Sequence, residues 1–121
     1  ATFGLRYGLD VFRKKGIDPK EIRLVGGGAK SSHWRQIVAD VFESEVVCPE
    51  SQEAGALGAA IQAHWCHSHE QGEEIELSEL TDAYVKLDDS TRCTPDSEHA
   101  ERYMELYAKY IEKDAALRST Y

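Results

Sequence analysis

The sequence predicts an α/β fold with two short parallel strands, packed helices and a helical C-terminal tail. Two observations carry this reading. The β-rich run at residues 21–25 passes straight into Gly26-Gly27-Gly28-Ala29-Lys30-Ser31, and an amphipathic stretch follows at once. A second run, Glu45-Val46-Val47-Cys48, comes one helix later and is closed by Pro49. Strands separated by a single helix pair in parallel through a right-handed crossover.

The elements follow in order. Leu5, Leu9 and Phe12 recur at helical spacing, and Gly16 with Pro19 beyond it should end that first helix. Its pattern opens without a capping residue or an initiator methionine, so the chain reads as part of something longer. Residues 22–25, bounded by Pro19 and the glycines, predict a buried strand. Trp34, Ile37, Val38, Val41 and Phe42 then form a helical stripe, with Ser31 or Ser32 as N-cap.

A third helix is predicted over residues 51–65, with unusually little bulk at Ala54, Gly55, Ala56, Gly58, Ala59, Ala60 and Ala63. Each glycine costs a helix about 1 kcal/mol relative to alanine. Close approach of the sheet or of a ligand is therefore expected along it. Beyond Gly72 the character changes. Residues 78–85 predict a short helix and residues 86–93 read as irregular. Thr94 reads as an N-cap with Pro95 at the first helical position. Ala100, Tyr103, Met104, Tyr107 and Ile111 give the last helix an apolar packing face. Two strands are too few for an independent sheet, which again points to a partner.

Composition limits the function classes. At 121 residues the chain is one domain at most. Its 41% hydrophobic and 30% charged residues match a soluble globular protein. A formal net charge of −8 argues against nonspecific binding to nucleic acid or anionic membranes. No apolar run approaches the roughly 20 residues of a membrane span. Arg6, Asp10, Arg13, Lys14 and Lys15 interrupt any signal-peptide core. Cys48, Cys66 and Cys93 are odd in number and lack a CxxC pair, which suggests a reducing compartment such as the cytoplasm.

The glycine run is the chief functional signal. Between a strand and a helix it lets the backbone approach a ligand and delivers that ligand to a helix N-terminus. Nucleotides are the usual occupants; a tight connection with no ligand is the plain alternative. A P-loop reading fails, because Ala29 and Leu24 stand where its two glycines belong. The dinucleotide fingerprint is met at Gly26 and Gly28 but not at Ser31, with Glu50 near the distance of a ribose-binding acid. A fragment of a dinucleotide-binding oxidoreductase thus stays open, as does a free-standing nucleotide-binding or interaction module. His64, Cys66, His67 and His69 are metal-ligand types, but a structural zinc site needs a second cluster, and a frayed helix end is expected there instead. No nucleophile–base pair is visible, so no catalytic residue is assigned.

The residues also carry a family resemblance. Ile22-Arg23-Leu24-Val25-Gly26-Gly27-Gly28-Ala29-Lys30-Ser31, then Trp34-Arg35-Gln36 and Ala39-Asp40, resemble the C-terminal adenosine segment of FGGY carbohydrate kinases. The likeness continues through Pro49-Glu50 and Glu53-Ala54-Gly55-Ala56-Leu57-Gly58-Ala59-Ala60 and is strongest to the xylulokinase branch. It implies a fragment of an actin-like ATPase fold built on ribonuclease-H-like domains. Residues 1–70 would be the C-terminal part of the nucleotide-binding domain, and residues 71–121 a helical tail packed on it.

By the same resemblance, Gly26, Gly27 and Gly28 line the base and ribose of ATP, with Ser31 near the adenine edge. The implied reaction moves the γ-phosphate of ATP to a hydroxyl of a pentulose such as D-xylulose, with Mg²⁺ bridging the phosphates. In that family the catalytic aspartate, the sugar pocket and the first phosphate loops belong to an N-terminal portion outside this chain. The chain alone is therefore expected to be inactive. It should also self-associate, or be marginally stable, because it exposes apolar surface that the other half would cover.

Overall fold

A computed structural model describes residues 1–51, 53–118 and 120. The elements run α1 (Thr2–Lys14), β1 (Glu21–Arg23), a 3₁₀ turn (Gly27–Lys30), α2 (Ser32–Phe42), β2 (Glu45–Pro49), α3 (Ala54–Glu70), α4 (Leu77–Tyr84), β3 (Leu87–Cys93) and α5 (Ser97–Arg118). Gln52, Ser119 and Tyr121, which fall in segments expected to be helical, lie outside the described residues.

The three strands form one mixed sheet in the order β1-β2-β3. The first two run parallel with Ile22 opposite Val46, as the single intervening helix requires. The third strand corrects the sequence reading. Residues 86–93 were expected to be irregular, yet β3 pairs antiparallel with β2, Cys93 opposite Val46 and Asp88 opposite Cys48. The register jumps between these pairs, so β3 bulges. Inside the bulge the Thr91 hydroxyl bridges the two strands. It accepts from the Cys48 N–H at 2.8 Å and donates to the Asp88 carbonyl at 2.6 Å. Arg92, from the same strand, bridges Glu21 and Glu45 at 3.1 and 3.3 Å, relieving two like charges that stand directly opposite.

Helix α2 is the hub of the core. Val38, Ala39, Val41 and Phe42 are buried with Val46 of β2, ringed by Phe3 and Leu9 of α1, Ile22, Trp34, Ile37 and Tyr103 of α5. Its N-terminus follows the sequence expectation: the Ser31 hydroxyl accepts from the Trp34 N–H. Its C-terminus ends on Glu43 in the left-handed region, φ 51°, a conformation that a non-glycine residue rarely adopts. Arg6, buried on α1, secures this end by donating to the Val41 carbonyl and to Glu43 Oε2.

Helix α5 is held by two buried polar joints. Asp40, only 2% exposed, accepts from Gln36 and from the Asp96 N–H, both at 2.8 Å. The N-cap is consequently Asp96, whose carboxylate accepts from the His99 N–H, and not the expected Thr94. One turn of α1 meets α5 where the Tyr107 hydroxyl donates to Asp10 Oδ2 at 2.7 Å. The expected apolar face does face inward: Ala100 and Tyr107 are buried, and the Phe3 ring meets Tyr103 edge-on and Tyr107 at a tilt.

Helix α3 departs furthest from expectation. It runs on to Glu70, so the histidine-rich segment is helix and not a frayed end. Trp65 Nε1 donates to the Ile75 carbonyl at 3.0 Å and His69 Nε2 lies 3.2 Å from the same oxygen, tying the helix end to the loop before α4. Its small residues do not pack against the sheet. A Cβ added at Gly55 or Gly58 would meet no protein atom within 4 Å, and Ile61 and Ser68 are its buried residues among those described. The chief neighbour of α3 is α4.

Candidate functional site

A cleft of about 580 Å³ opens where the parallel strands β1 and β2 end. Crevices at the carboxyl ends of parallel strands are the usual ligand sites of α/β sheets. One wall is Leu24, Val25, Gly26 and Gly27, from the segment that leaves β1. The opposite wall is Pro49, Glu50 and Ser51, leaving β2, with Cys48 at its base. Asp88 and Thr91 of β3 close one side, and Lys30 and Arg35 reach in from the turn and from α2.

The three glycines serve different purposes. Gly26 sits at φ 91°, ψ 179°, a backbone region closed to residues with a Cβ, and this sets the chain's direction out of β1. Gly27 starts the 3₁₀ turn. A Cβ built on it would meet no protein atom within 4 Å, so its bare backbone borders the cleft without any packing need of its own. Gly28 is different. Its Cβ would stand 2.7 Å from Cζ3 and 2.8 Å from Cε3 of Trp34, so the indole already occupies that space. Trp34 in turn donates from Nε1 to Thr2 Oγ1 at 3.3 Å, linking the turn to α1.

The Ala29 carbonyl anchors the turn on two sides. It accepts from Arg35 Nη1 at 2.8 Å and lies 3.8 Å from the Cys48 sulfur. Arg35 is half-buried, and its Nε is a buried donor with no partner among the described residues. Lys30 is exposed, as are Glu50 and Glu53. The cleft thus combines apolar flanks at Leu24, Val25 and Pro49 with carboxylates and two cations. It falls within the size range of small-molecule sites.

Of the residues singled out from the sequence, Gly26 and Gly27 line the cleft. Gly28 lies beneath Trp34, and the Ser31 hydroxyl is engaged in capping α2; neither is among the lining residues. Sequence reasoning missed Arg35, Asp88 and Thr91. The β3 pair carries no local signal, since a bulged strand with two acidic residues reads as a loop. Among the described residues no group of three His, Cys, Asp or Glu side chains could hold a metal ion, the histidines of α3 included. No helix among those residues is long and apolar enough to cross a membrane.

The chain belongs to the FGGY family of carbohydrate kinases, matching the model of the family's C-terminal domain over residues 1–67. It is 48% identical over 111 residues to a xylulose kinase of Haemophilus influenzae, covering 92% of this chain and 22% of that protein. A gluconokinase of Bacillus licheniformis is 36% identical over 100 residues, covering 83% of this chain and 18% of its own. Among solved structures, ligand-bound xylulose kinase from Lactobacillus acidophilus superposes with a TM-score of 0.82 at 27% identity, covering 99% of this chain and 23% of that one. The fold is accordingly a piece of the actin-like ATPase architecture. The chain spans about a fifth of the length of the curated relatives it matches.

Proposed function

We propose that this chain forms the adenosine side of the nucleotide cleft of an ATP-dependent sugar kinase whose substrate is a pentulose such as D-xylulose. The cleft at Gly26 and Gly27 carries the reading: bare backbone borders a space that no protein atom fills. Val25, 52% exposed, and Pro49 offer apolar surface to a purine. Gly26 and Gly27 hold the ribose end close to the main chain. Gly28 and Ser31 act one step back, Gly28 by seating Trp34 and Ser31 by starting α2.

Bound ATP and Mg²⁺ supply the transferable phosphoryl group and the neutralisation of its charge. The residues here bind and orient the nucleoside, and the groups that hold Mg²⁺, the sugar and the attacking hydroxyl are assigned to the portion of the protein outside this chain. The 48% identity to the xylulose kinase of Haemophilus influenzae, against 36% to the gluconokinase, supports the pentulose, and a cytoplasmic location belongs to the same proposal. The domain division at residue 70 belongs to the same proposal, and the family match ending at residue 67 supports it.

An NMR titration of isotopically labelled chain with ATP tests this directly. The amides of Gly26 and Gly27 should shift, with those of Ser51 and Thr91, while α5 stays unmoved. Unchanged cleft amides at millimolar ATP would refute the assignment.

A further inference from the structure

The cleft has a wall that the family match does not include. The matched segment ends at residue 67, yet Asp88 and Thr91 of β3 line the same space as Gly26 and Gly27. Their position is fixed by the sheet. Asp88 stands opposite Cys48 in the β2–β3 register, so its side chain belongs to the carboxyl end of the parallel pair. Thr91 bonds both the Cys48 N–H and the Asp88 carbonyl, which locks the bulge around the aspartate.

The carboxylate is itself held in place. Asp88 Oδ1 accepts from the Ser90 N–H at 3.0 Å and from the Ser90 hydroxyl at 2.5 Å. The other oxygen, Oδ2, has neither a hydrogen-bond partner nor a paired cation among the described residues. A half-buried carboxylate with one oxygen tied down and the other bare is a preorganised acceptor. It repels phosphate, and it suits a neutral hydrogen-bond donor.

We propose that Asp88 is a specificity-determining residue of the cleft. Its free oxygen takes a neutral donor on the nucleoside part of the ligand, a ribose hydroxyl or the exocyclic amine of the base, and its charge keeps the phosphate tail on the far side. The inference rests on the nucleotide reading above and adds to it that β3 selects which nucleoside is accepted. A site built to bond a donor discriminates against analogues that lack it, because its own polar group is left unpaired.

The test compares ATP, 2′-deoxyATP, 3′-deoxyATP and inosine triphosphate against the full 121-residue chain and its Asp88→Asn variant. The asparagine keeps the shape and the Ser90 bonds, and it puts an amide donor where the bare oxygen was. The unaltered chain should bind ATP at least about tenfold more tightly than one of the three analogues, the one lacking the donor that Asp88 takes. Deoxy analogues failing would identify the ribose, and inosine triphosphate failing would identify the base. In Asp88→Asn, ATP affinity should fall by about the same factor and the discrimination should vanish. Circular dichroism and a thermal melt check that the variant is folded; should it unfold, Asp88→Glu, which moves the free oxygen and retains the charge, gives the same comparison. ATP binding that is unchanged in a folded variant, or equal for all four nucleotides, overturns the role of Asp88 and leaves the cleft assignment standing. Failure of the unaltered chain to bind any of the four removes the nucleotide reading and this inference with it.

Discussion

A Cβ on Gly28 would stand 2.7 Å from the Trp34 indole, whereas one on Gly27 would meet nothing within 4 Å. Two adjacent glycines of one run therefore answer to different constraints, one to packing and one to open space. Gly28→Ala should destabilise the chain by about 1–3 kcal/mol, the usual cost of overpacking a filled site. Gly27→Ala should stay within about 0.5 kcal/mol of the parent. Urea denaturation of both variants checks this, and equal midpoints would contradict it.

The joint between α1 and α5 should respond to pH from both sides. Burial alone would raise the Asp10 carboxyl, but hydrogen bonds from Tyr107 and Arg6 and the charges of Arg6 and Arg13 outweigh it and hold Asp10 below its ordinary 3.8. A depressed carboxyl contributes stability that is full above its unfolded value and lost as pH falls through the folded one. Burial, then the bond to Asp10, pushes the Tyr107 phenol above its ordinary 10.0. That contribution is full below pH 10.0 and is lost as pH rises through the folded value. In Tyr107→Phe the losses of stability below about pH 4 and above about pH 10 should both become shallower. A melting-temperature profile unchanged by the substitution would count against the joint.

The Thr91 hydroxyl accepts from the Cys48 N–H at 2.8 Å across the bulge. Thr91→Val removes that acceptor from a part-buried donor and should cost about 1–3 kcal/mol, while Thr91→Ser should cost much less. Hydrogen exchange at the Cys48 amide reports on it: faster exchange in the valine variant is expected, and protection equal to the parent would contradict the role.

The same bulge explains how far the sequence could be read. Strand β2, the Ser31 cap and the α2 stripe were legible because each is specified by neighbouring residues: a β-rich run, a serine, an apolar face at helical spacing. β1 was legible as a strand, but it ends at Arg23. Lying at the edge of the sheet, it is half-buried to exposed and not the buried strand expected over residues 22–25. Strand β3 was not legible, since Asp88, Asp89 and Ser90 disfavour a strand and only pairing with β2 overrides them. The Asp96 cap was hidden for a similar reason, as the buried Asp40 from α2 fixes the Asp96 N–H across 56 residues of sequence. Half of the cleft was visible in Gly26 and Gly27. The other half is made by side chains that only the fold brings together.

The small residues of α3 were read as a close-packing face, and within this chain that face is open. On α1, Leu5, Phe12 and Ile17 beyond it are more than half exposed as well. Apolar surface of this kind favours association. Sedimentation of the chain should show mass rising with concentration, and Leu5→Lys with Phe12→Lys should shift it toward monomer. A monomer at all concentrations with a concentration-independent melting temperature would refute this.

The central claim is that bare backbone at Gly27 receives a nucleotide, and calorimetric titration of Gly27→Val with ATP tests it most directly. A Cβ at Gly27 meets no atom beyond its chain neighbours within 4 Å, so circular dichroism should show an intact fold. Exposed Lys30 provides the control, and Lys30→Ala should change ATP affinity little. The account predicts that Gly27→Val weakens ATP binding by at least about 2 kcal/mol, the scale of a steric block in a close-fitting site. An unchanged affinity for ATP in the folded variant would mean that the glycine turn is a structural connection and the cleft is not its binding site.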